Sequence, residues 1–297
     1  MNTTNTQSLR IALIGYGEVG GIFGAAVAPK SQAVTAFDIR TTDAMRERAA
    51  KDRVRLAATA ADAVADADLV ISAVTASATR DAAASAASSM RRGAFLLDVN
   101  SASPRTKADC GAAVDATGGR YVESAVMTSV PPYGIKVPML LGGPHAEALA
   151  PTLAALGFSA RVGAARLGVV SAVKMCRSVM IKGMEAIVIE SLLAARRYGV
   201  EDEVLASLGE TFPGIEWERQ ASYFWSRVVR HGKRRAEEMR ESAHTVREAG
   251  LAPLLASAIA QRQQWVADLA AAGTFDGAGG DAAWREHADR IPRDDRA

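Results

Sequence analysis

Three glycines, an acid and a lysine carry the chemistry that this chain could do. The run Arg10–Ile11–Ala12–Leu13–Ile14–Gly15–Tyr16–Gly17–Glu18–Val19–Gly20 places Gly-x-Gly-x-x-Gly after a short apolar stretch. In that pattern Gly15 allows a tight turn, Gly17 lets the main chain approach a phosphate, and Gly20 lets a helix pack closely on a strand. The amides of Tyr16, Glu18 and Val19 then face a pyrophosphate at the mouth of the helix. Asp38 closes the next apolar run, Ala33–Phe37, about 20 residues on, where a carboxylate accepts from the ribose hydroxyls of a dinucleotide. Its charge disfavours a 2′-phosphate, so NAD is expected over NADP, with Arg40 as the residue that could reverse the preference.

Lys174 is the second feature. It stands in Val169–Val170–Ser171–Ala172–Val173–Lys174–Met175, among apolar neighbours near the start of an expected helix. Such a lysine must reach solvent, find an anion or give up part of its charge. Periodicity alone favours a side chain that snorkels to water. Beside a nicotinamide the same ammonium could relay a proton while hydride moves.

These groups need a scaffold. Through about residue 165, β-like runs alternate with alanine-rich helical ones, which predicts βαβ units and a parallel sheet. Strands are expected at Arg10–Ile14, Ala33–Phe37, Leu69–Ala73, Phe95–Asp98, Arg120–Val126, Met139–Gly142 and near Ser159–Val162. A long helix is expected over Ser171–Tyr198, buried on most sides, then helices at Glu201–Gly209, Ile215–Arg230, Arg234–Ala249 and Pro253–Ala272. The predicted organisation is a flexible start (1–8), a Rossmann-type α/β domain with a doubly wound parallel sheet (9–165), an all-helical substrate and dimerisation domain (166–272), and a flexible tail (273–297).

Composition excludes several classes. The 297 residues are 49% hydrophobic and carry a net charge of +2, too small to argue for nucleic acid or a membrane surface. No stretch approaches the roughly 18 uncharged apolar residues of a membrane span, and residues 1–8 do not read as an export signal, so a cytoplasmic protein is expected. Cys110 and Cys176 read as reduced thiols, and the four histidines lack metal-ligand spacing, so no metal is expected.

With the glycine fingerprint, Val74–Thr75, the stretch Asp98–Val99–Asn100–Ser101–Ala102–Ser103–Pro104 and Lys174 taken together, the chain resembles the β-hydroxyacid dehydrogenases. That family includes 3-hydroxyisobutyrate and 6-phosphogluconate dehydrogenases. The resemblance runs in order from about Arg10 to Leu192, and more thinly to about Leu269. It implies hydride exchange between NAD(P) and a small anionic hydroxyacid or keto acid, with Lys174 as proton donor and acceptor. It places Asp98, Asn100, Ser101 and Pro104 at the nicotinamide and substrate, and Val74, Thr75 and Thr79 at the cofactor. Where the family has Asp-x-Pro-Val-Ser-Gly-Gly, this chain reads Glu123–Ser124–Ala125–Val126–Met127–Thr128–Ser129, so Met127, Thr128 and Ser129 would meet the substrate.

Ser178 replaces the family's asparagine one turn beyond the lysine. Lys182, on a broadly shared helix face, is a further candidate. The segment His231–Gly232–Lys233–Arg234–Arg235–Ala236–Glu237–Glu238–Met239–Arg240 has no family counterpart and looks like a less characterised branch. His231, Arg234 or Arg235 would suit an anionic substrate group, while a solvated basic helix start with acidic partners is the favoured reading of the charges. A homodimer is the default assembly. Two other readings remain: an imine reductase, whose members generally carry another residue at the position of Lys174, and a non-catalytic NAD(P)-binding interaction protein.

Overall fold

The computed structural model describes residues 5–278 and 282–292. The chain divides into two compact units, Met1–Met175 and Cys176–Ala297. The break falls inside a helix, about ten residues past the boundary expected at 165/166.

The first unit is an eight-stranded sheet: β1 (Arg10–Ile14), β2 (Ala33–Phe37), β3 (Val54–Leu56), β4 (Leu69–Ser72), β5 (Phe95–Asp98), β6 (Arg120–Val126), β7 (Met139–Gly142) and β8 (Ala160–Ala164). Their spatial order is β3-β2-β1-β4-β5-β6-β7-β8. Helices α1 (Glu18–Val27), α2 (Asp43–Lys51), α3 (Ala60–Val64), α4 (Thr79–Ala87), α5 (Pro104–Ala116) and α6 (Ala146–Leu156) connect the strands. Strand β1 shows why both faces are covered. Ile11 and Leu13 enter one apolar core, and Ala12 and Ile14 enter the other, so the strand has no polar face. The strand order reverses at β1, so a crevice opens beyond its carboxyl end between those of β2 and β4.

Two features of the sheet depart from the sequence reading. Strand β7 runs antiparallel to β6, because the short connection from Met127 to Pro138 returns the chain without a crossover helix. Strand β3 was not read from the sequence, being three residues with the charged Arg55 at its centre.

Helix α7 (Val169–Tyr198) begins in the first unit and continues into the second. It is not buried on most sides as expected: Met180 and Ile187 are 67% and 66% exposed, and Val173 and Tyr198 are also exposed. The second unit adds α8 (Glu201–Thr211), α9 (Trp217–Glu248), α10 (Leu254–Ala271) and α11 (Trp284–Arg290). Its core gathers Ile189, Leu192, Trp225, Val228, Val266 and Trp284. Instead of two helices over 215–249 there is one continuous α9. Gly232 does not break it, and its missing side chain lets the helix approach α10, since a Cβ there would lie 2.9 Å from the Gln263 carbonyl oxygen.

The expected flexible ends need a similar correction. Residues 6–8 form a short 3-10 turn capped by Asn5, whereas residues 1–4 lie outside the described set. Within 273–297, helix α11 is anchored by the buried Trp284, whose indole N–H donates to Glu218 at 3.0 Å. One aromatic anchor on a seven-residue helix leaves no periodicity to read. Residues 279–281 and 293–297 lie outside the described set.

His287 on α11 is buried, stacked on Trp225 and met edge-on by Phe275. Neither ring nitrogen has a hydrogen-bond partner among the described residues. Burial holds its pKa below the ordinary 6.5, Glu286 acting in the opposite direction and Arg290 and Arg230 in the same one. The folded form therefore prefers the neutral ring. That preference contributes stability above the unfolded-state value and loses it as pH falls through about 6.5 toward the lower folded value. Thermal unfolding followed from about pH 7.5 to about pH 5.5 is expected to show a fall in Tm that His287→Phe reduces.

Candidate active site

The turn after β1 is built on Gly15, held at φ +90, where a side chain is strained and a Cβ would lie 2.8 Å from the Ala73 carbonyl carbon. A Cβ on Gly20 would overlap the Gly15 carbonyl oxygen, so strand and helix can meet this closely only with glycine there. Gly17 is the N-cap of α1 and supplies no side-chain cap, which leaves first-turn amides of α1 available to a ligand. The space that a Cβ on Gly17 would enter is open, with nothing within 4 Å.

Asp38 binds this turn from the end of β2. One oxygen accepts from the Tyr16 amide at 2.8 Å and the other from the Arg40 amide at 3.0 Å. The carboxylate is half-buried, and the Glu18 and Arg40 side chains are exposed. A cradle open at Gly17, helix amides behind it and a carboxylate at the neighbouring strand end fit a dinucleotide. Tyr16 contributes only its main chain. Its ring is fully buried, and the Arg48 guanidinium lies 4.8 Å from the ring centroid. Arg48, which the sequence reading did not single out, donates to the main-chain oxygens of Tyr16 and Gly17 and so braces the turn from α2.

The ends of β4 and β5 are joined by Asn100. Its carbonyl accepts from the Val74 amide at 2.7 Å, and its amide donates to Ser72 at 2.9 Å. Thr75 is exposed. Thr79 is fully buried and its hydroxyl donates to the Ala76 carbonyl at 2.9 Å; it locks the start of α4 rather than offering a cofactor contact. Asp98 and Asn100, expected at the reacting groups, are buried and turned into the protein. Pro104 opens α5 behind the N-cap Ser103.

Ser101 is the member of this stretch that meets the lysine. The Lys174 Nζ donates to Ser101 Oγ at 2.6 Å, and both residues are half-buried. The helix that carries Lys174 starts on a buried acid. Glu123 in β6 accepts from the Gly168 amide at 2.6 Å and from the Ser171 hydroxyl, one turn before Lys174. Burial pushes the Glu123 carboxyl above its ordinary 4.5, against those two hydrogen bonds. Met127 and Ser129 are half-buried and Thr128 exposed, at the end of β6. Among the described residues no group of three or more His, Cys, Asp or Glu is placed to hold a metal ion, and no helix is long and apolar enough to cross a membrane.

In the second unit, Ser178 is buried, and His231 and Arg234 are exposed on α9. The basic segment is not a solvated helix start, because it lies in the middle of α9. Arg235 is buried and donates to Glu185, which also accepts from Gln263 at 3.2 Å. Lys182 pairs with Glu238 at 2.9 Å, and Arg234 lies 3.6 Å from Glu238 on its own helix. Lys182 and Arg235 are thus engaged in tying α7 to α9. Glu185→Ala would leave the Arg235 charge buried without its carboxylate, and is expected to cost about 3–5 kcal/mol in the denaturant unfolding of the second unit.

Residues 10–157 match the NAD binding domain of 6-phosphogluconate dehydrogenase, and residues 195–266 match a domain of unknown function, DUF1932. A conserved hypothetical protein from Sinorhizobium meliloti 1021 is 37% identical, with 97% of this chain and 98% of that one aligned and a TM-score of 0.75. The conserved protein MTH1747, described as structurally similar to 3-hydroxyacid dehydrogenases, is 28% identical over 88% of this chain and 97% of its own, at a TM-score of 0.67. The 3-hydroxyisobutyrate dehydrogenase of Mycobacterium tuberculosis, solved with L-serine, shares the fold: 18% identity, 95% and 98% coverage, TM-score 0.69. The chain carries a site for a nicotinamide cofactor, NAD or NADP, and belongs to the β-hydroxyacid dehydrogenase family of 3-hydroxyisobutyrate and 6-phosphogluconate dehydrogenases, in a branch whose helical domain is DUF1932.

Proposed function

We propose that this NAD(P)-dependent oxidoreductase exchanges hydride with a small β-hydroxyacid or the corresponding keto acid, and that Lys174 moves the hydroxyl proton. The observation that carries the reading is the Lys174–Ser101 hydrogen bond at 2.6 Å, on the stretch that Asn100 links to the exit of β4. A bound nicotinamide would supply or accept the hydride. In the reducing direction the Lys174 ammonium gives a proton to the substrate oxygen as charge develops there; in the oxidising direction the neutral amine takes it back. Ser101 orients the substrate oxygen and the lysine together. Thr128 and Ser129 offer hydroxyls to a carboxylate, and Met127 sets the apolar limit of the pocket.

Gly15, Gly17, Gly20 and the amides of Tyr16, Glu18 and Val19 would receive the pyrophosphate, with Val74 and Thr75 along its path. Asp38 would receive the ribose, beside the exposed Ile39, which offers an apolar platform to a flat base. Its negative charge supports NAD as the preferred cofactor, with Arg40 next to it as the opposing influence. Fluorescence titration with NADH and NADPH separately tests this part. Tighter NADH binding is expected, and binding of neither would contradict the reading. The exposed Met180, Ile187 and Tyr198 along α7 support pairing with a second copy of the chain. Sedimentation is expected to give a dimer, and a monomer at every concentration would rule it out.

The imine-reductase reading is disfavoured by the lysine at position 174. The non-catalytic reading would require the Lys174–Ser101 pair to be idle.

A further inference from the structure

Lys107 is the fourth residue of α5, and its side chain is 1% exposed. A buried ammonium is costly unless it is paired and its hydrogens are used. Here it donates to Asp98 Oδ1 at 2.7 Å and to the Asp98 main-chain oxygen at 3.2 Å. The same Oδ1 accepts from the Asn100 amide at 2.9 Å, and Oδ2 accepts from the Tyr121 hydroxyl at 2.6 Å. Burial and the Asp98 charge push the Tyr121 phenol well above its ordinary range, and burial pushes the nearby Cys110 thiol up to about 11. Neither competes with Asp98 for the negative charge.

We propose that the buried Lys107–Asp98–Tyr121 cluster is a positioning device for the Lys174–Ser101 pair. The proposal rests on the reading of that pair as the reacting groups. Asp98 fixes the amide of Asn100, and the Asn100 side chain is fixed by Val74 and Ser72. The stretch is therefore held at residues 98 and 100, and Ser101 follows directly, with its hydroxyl turned to Lys174. Without the Lys107 ammonium, Asp98 would lose the donor that meets both its Oδ1 and its main-chain oxygen, and would be a buried carboxylate without its cation. A buried charge that has lost its cation is relieved by moving toward water, which pulls it off the Asn100 and Tyr121 donors, so the hold on residue 100 weakens and Ser101 drifts from Lys174. Lys107 acts through Asp98 and Asn100, and is a positioning residue.

The test reads Lys174 directly and needs no substrate. Trace acetylation of the intact protein with acetic anhydride is quantified by peptide mass spectrometry, with the exposed Lys51 as reference and Lys30, which donates to the Leu156 carbonyl, as a gauge of general loosening. A hydrogen bond from the ammonium to Ser101 favours the unreactive charged form, so Ser101→Ala is expected to speed Lys174 labelling about threefold to tenfold. Lys107→Met is expected to produce a similar increase with Lys30 unchanged. Tyr121→Phe, which removes one donor without leaving a charge, is expected to give a smaller rise and serves if Lys107→Met does not fold. Wild-type labelling of Lys174 in Tyr121→Phe and in any folded Lys107→Met, beside faster labelling in Ser101→Ala, would overturn the positioning role alone. A parallel rise at Lys30 would assign the cluster a general structural role and overturn it too. No change in Ser101→Ala would overturn both the pair and the proposal.

Discussion

Lys174→Ala is expected to lower turnover by about 10²–10⁴ while the affinity for reduced cofactor changes by less than about threefold. The lysine reaches Ser101, whereas the glycine turn and Asp38 that would hold the cofactor lie on β1 and β2. Alanine removes the proposed proton carrier without disturbing that turn, so the loss is expected to fall on kcat. Lys174→Arg sharpens the result. A guanidinium keeps the positive charge and can still donate to Ser101, yet it does not release its proton at working pH. If Lys174 only supplied charge, arginine would restore most of the rate; as a proton carrier, arginine is expected to stay within about tenfold of alanine. Steady-state and single-turnover kinetics separate the two.

The second large effect concerns Gly17. Gly17→Ala is expected to fold with an unchanged Tm, because nothing lies within 4 Å of the added Cβ. The same methyl stands where the main chain would approach the pyrophosphate in the proposed site, and cofactor affinity is expected to fall by at least about tenfold. Gly20→Ala should behave differently. Its Cβ would overlap the Gly15 carbonyl oxygen, which no rotamer can relieve, so stability and affinity fall together. Calorimetric unfolding beside cofactor titration gives both quantities for both variants.

The contrast between these glycines and Lys107 shows what can be read from the chain alone. The boundaries of β1, β2, β5, β6 and β7 follow from apolar runs bounded by turn residues, and the glycine spacing follows from local backbone sterics. Both are local properties. Strand β3 escapes because three residues carry no period, and α9 looked like two helices because Gly232 reads as a breaker unless the approach of α10 is known. The buried polar contacts are not local. Lys107 and Glu123 look like surface residues until Asp98, Gly168 and Ser171 are brought to them from elsewhere in the chain. One signal was present: Lys107 shares its helical face with Cys110, Gly111 and Val114, all buried, so a lone charge interrupts an apolar stripe. In the same way Asp98 and Asn100 were legible as a motif, but their inward orientation was not. The motif shows which residues occur together, and only the hydrogen-bond accounting shows that Ser101 is the one that meets Lys174.

Isotopic labelling tests hydride exchange with a β-hydroxyacid. The protein is incubated with NAD and with NADP, each with a panel of small β-hydroxyacids carrying deuterium on the carbinol carbon, and the reduced cofactor is weighed by mass spectrometry. A gain of one deuterium in the nicotinamide with at least one acid, abolished in Lys174→Ala, is the expected result. Cofactor that binds but acquires no label from any member of the panel would contradict hydride exchange with a β-hydroxyacid.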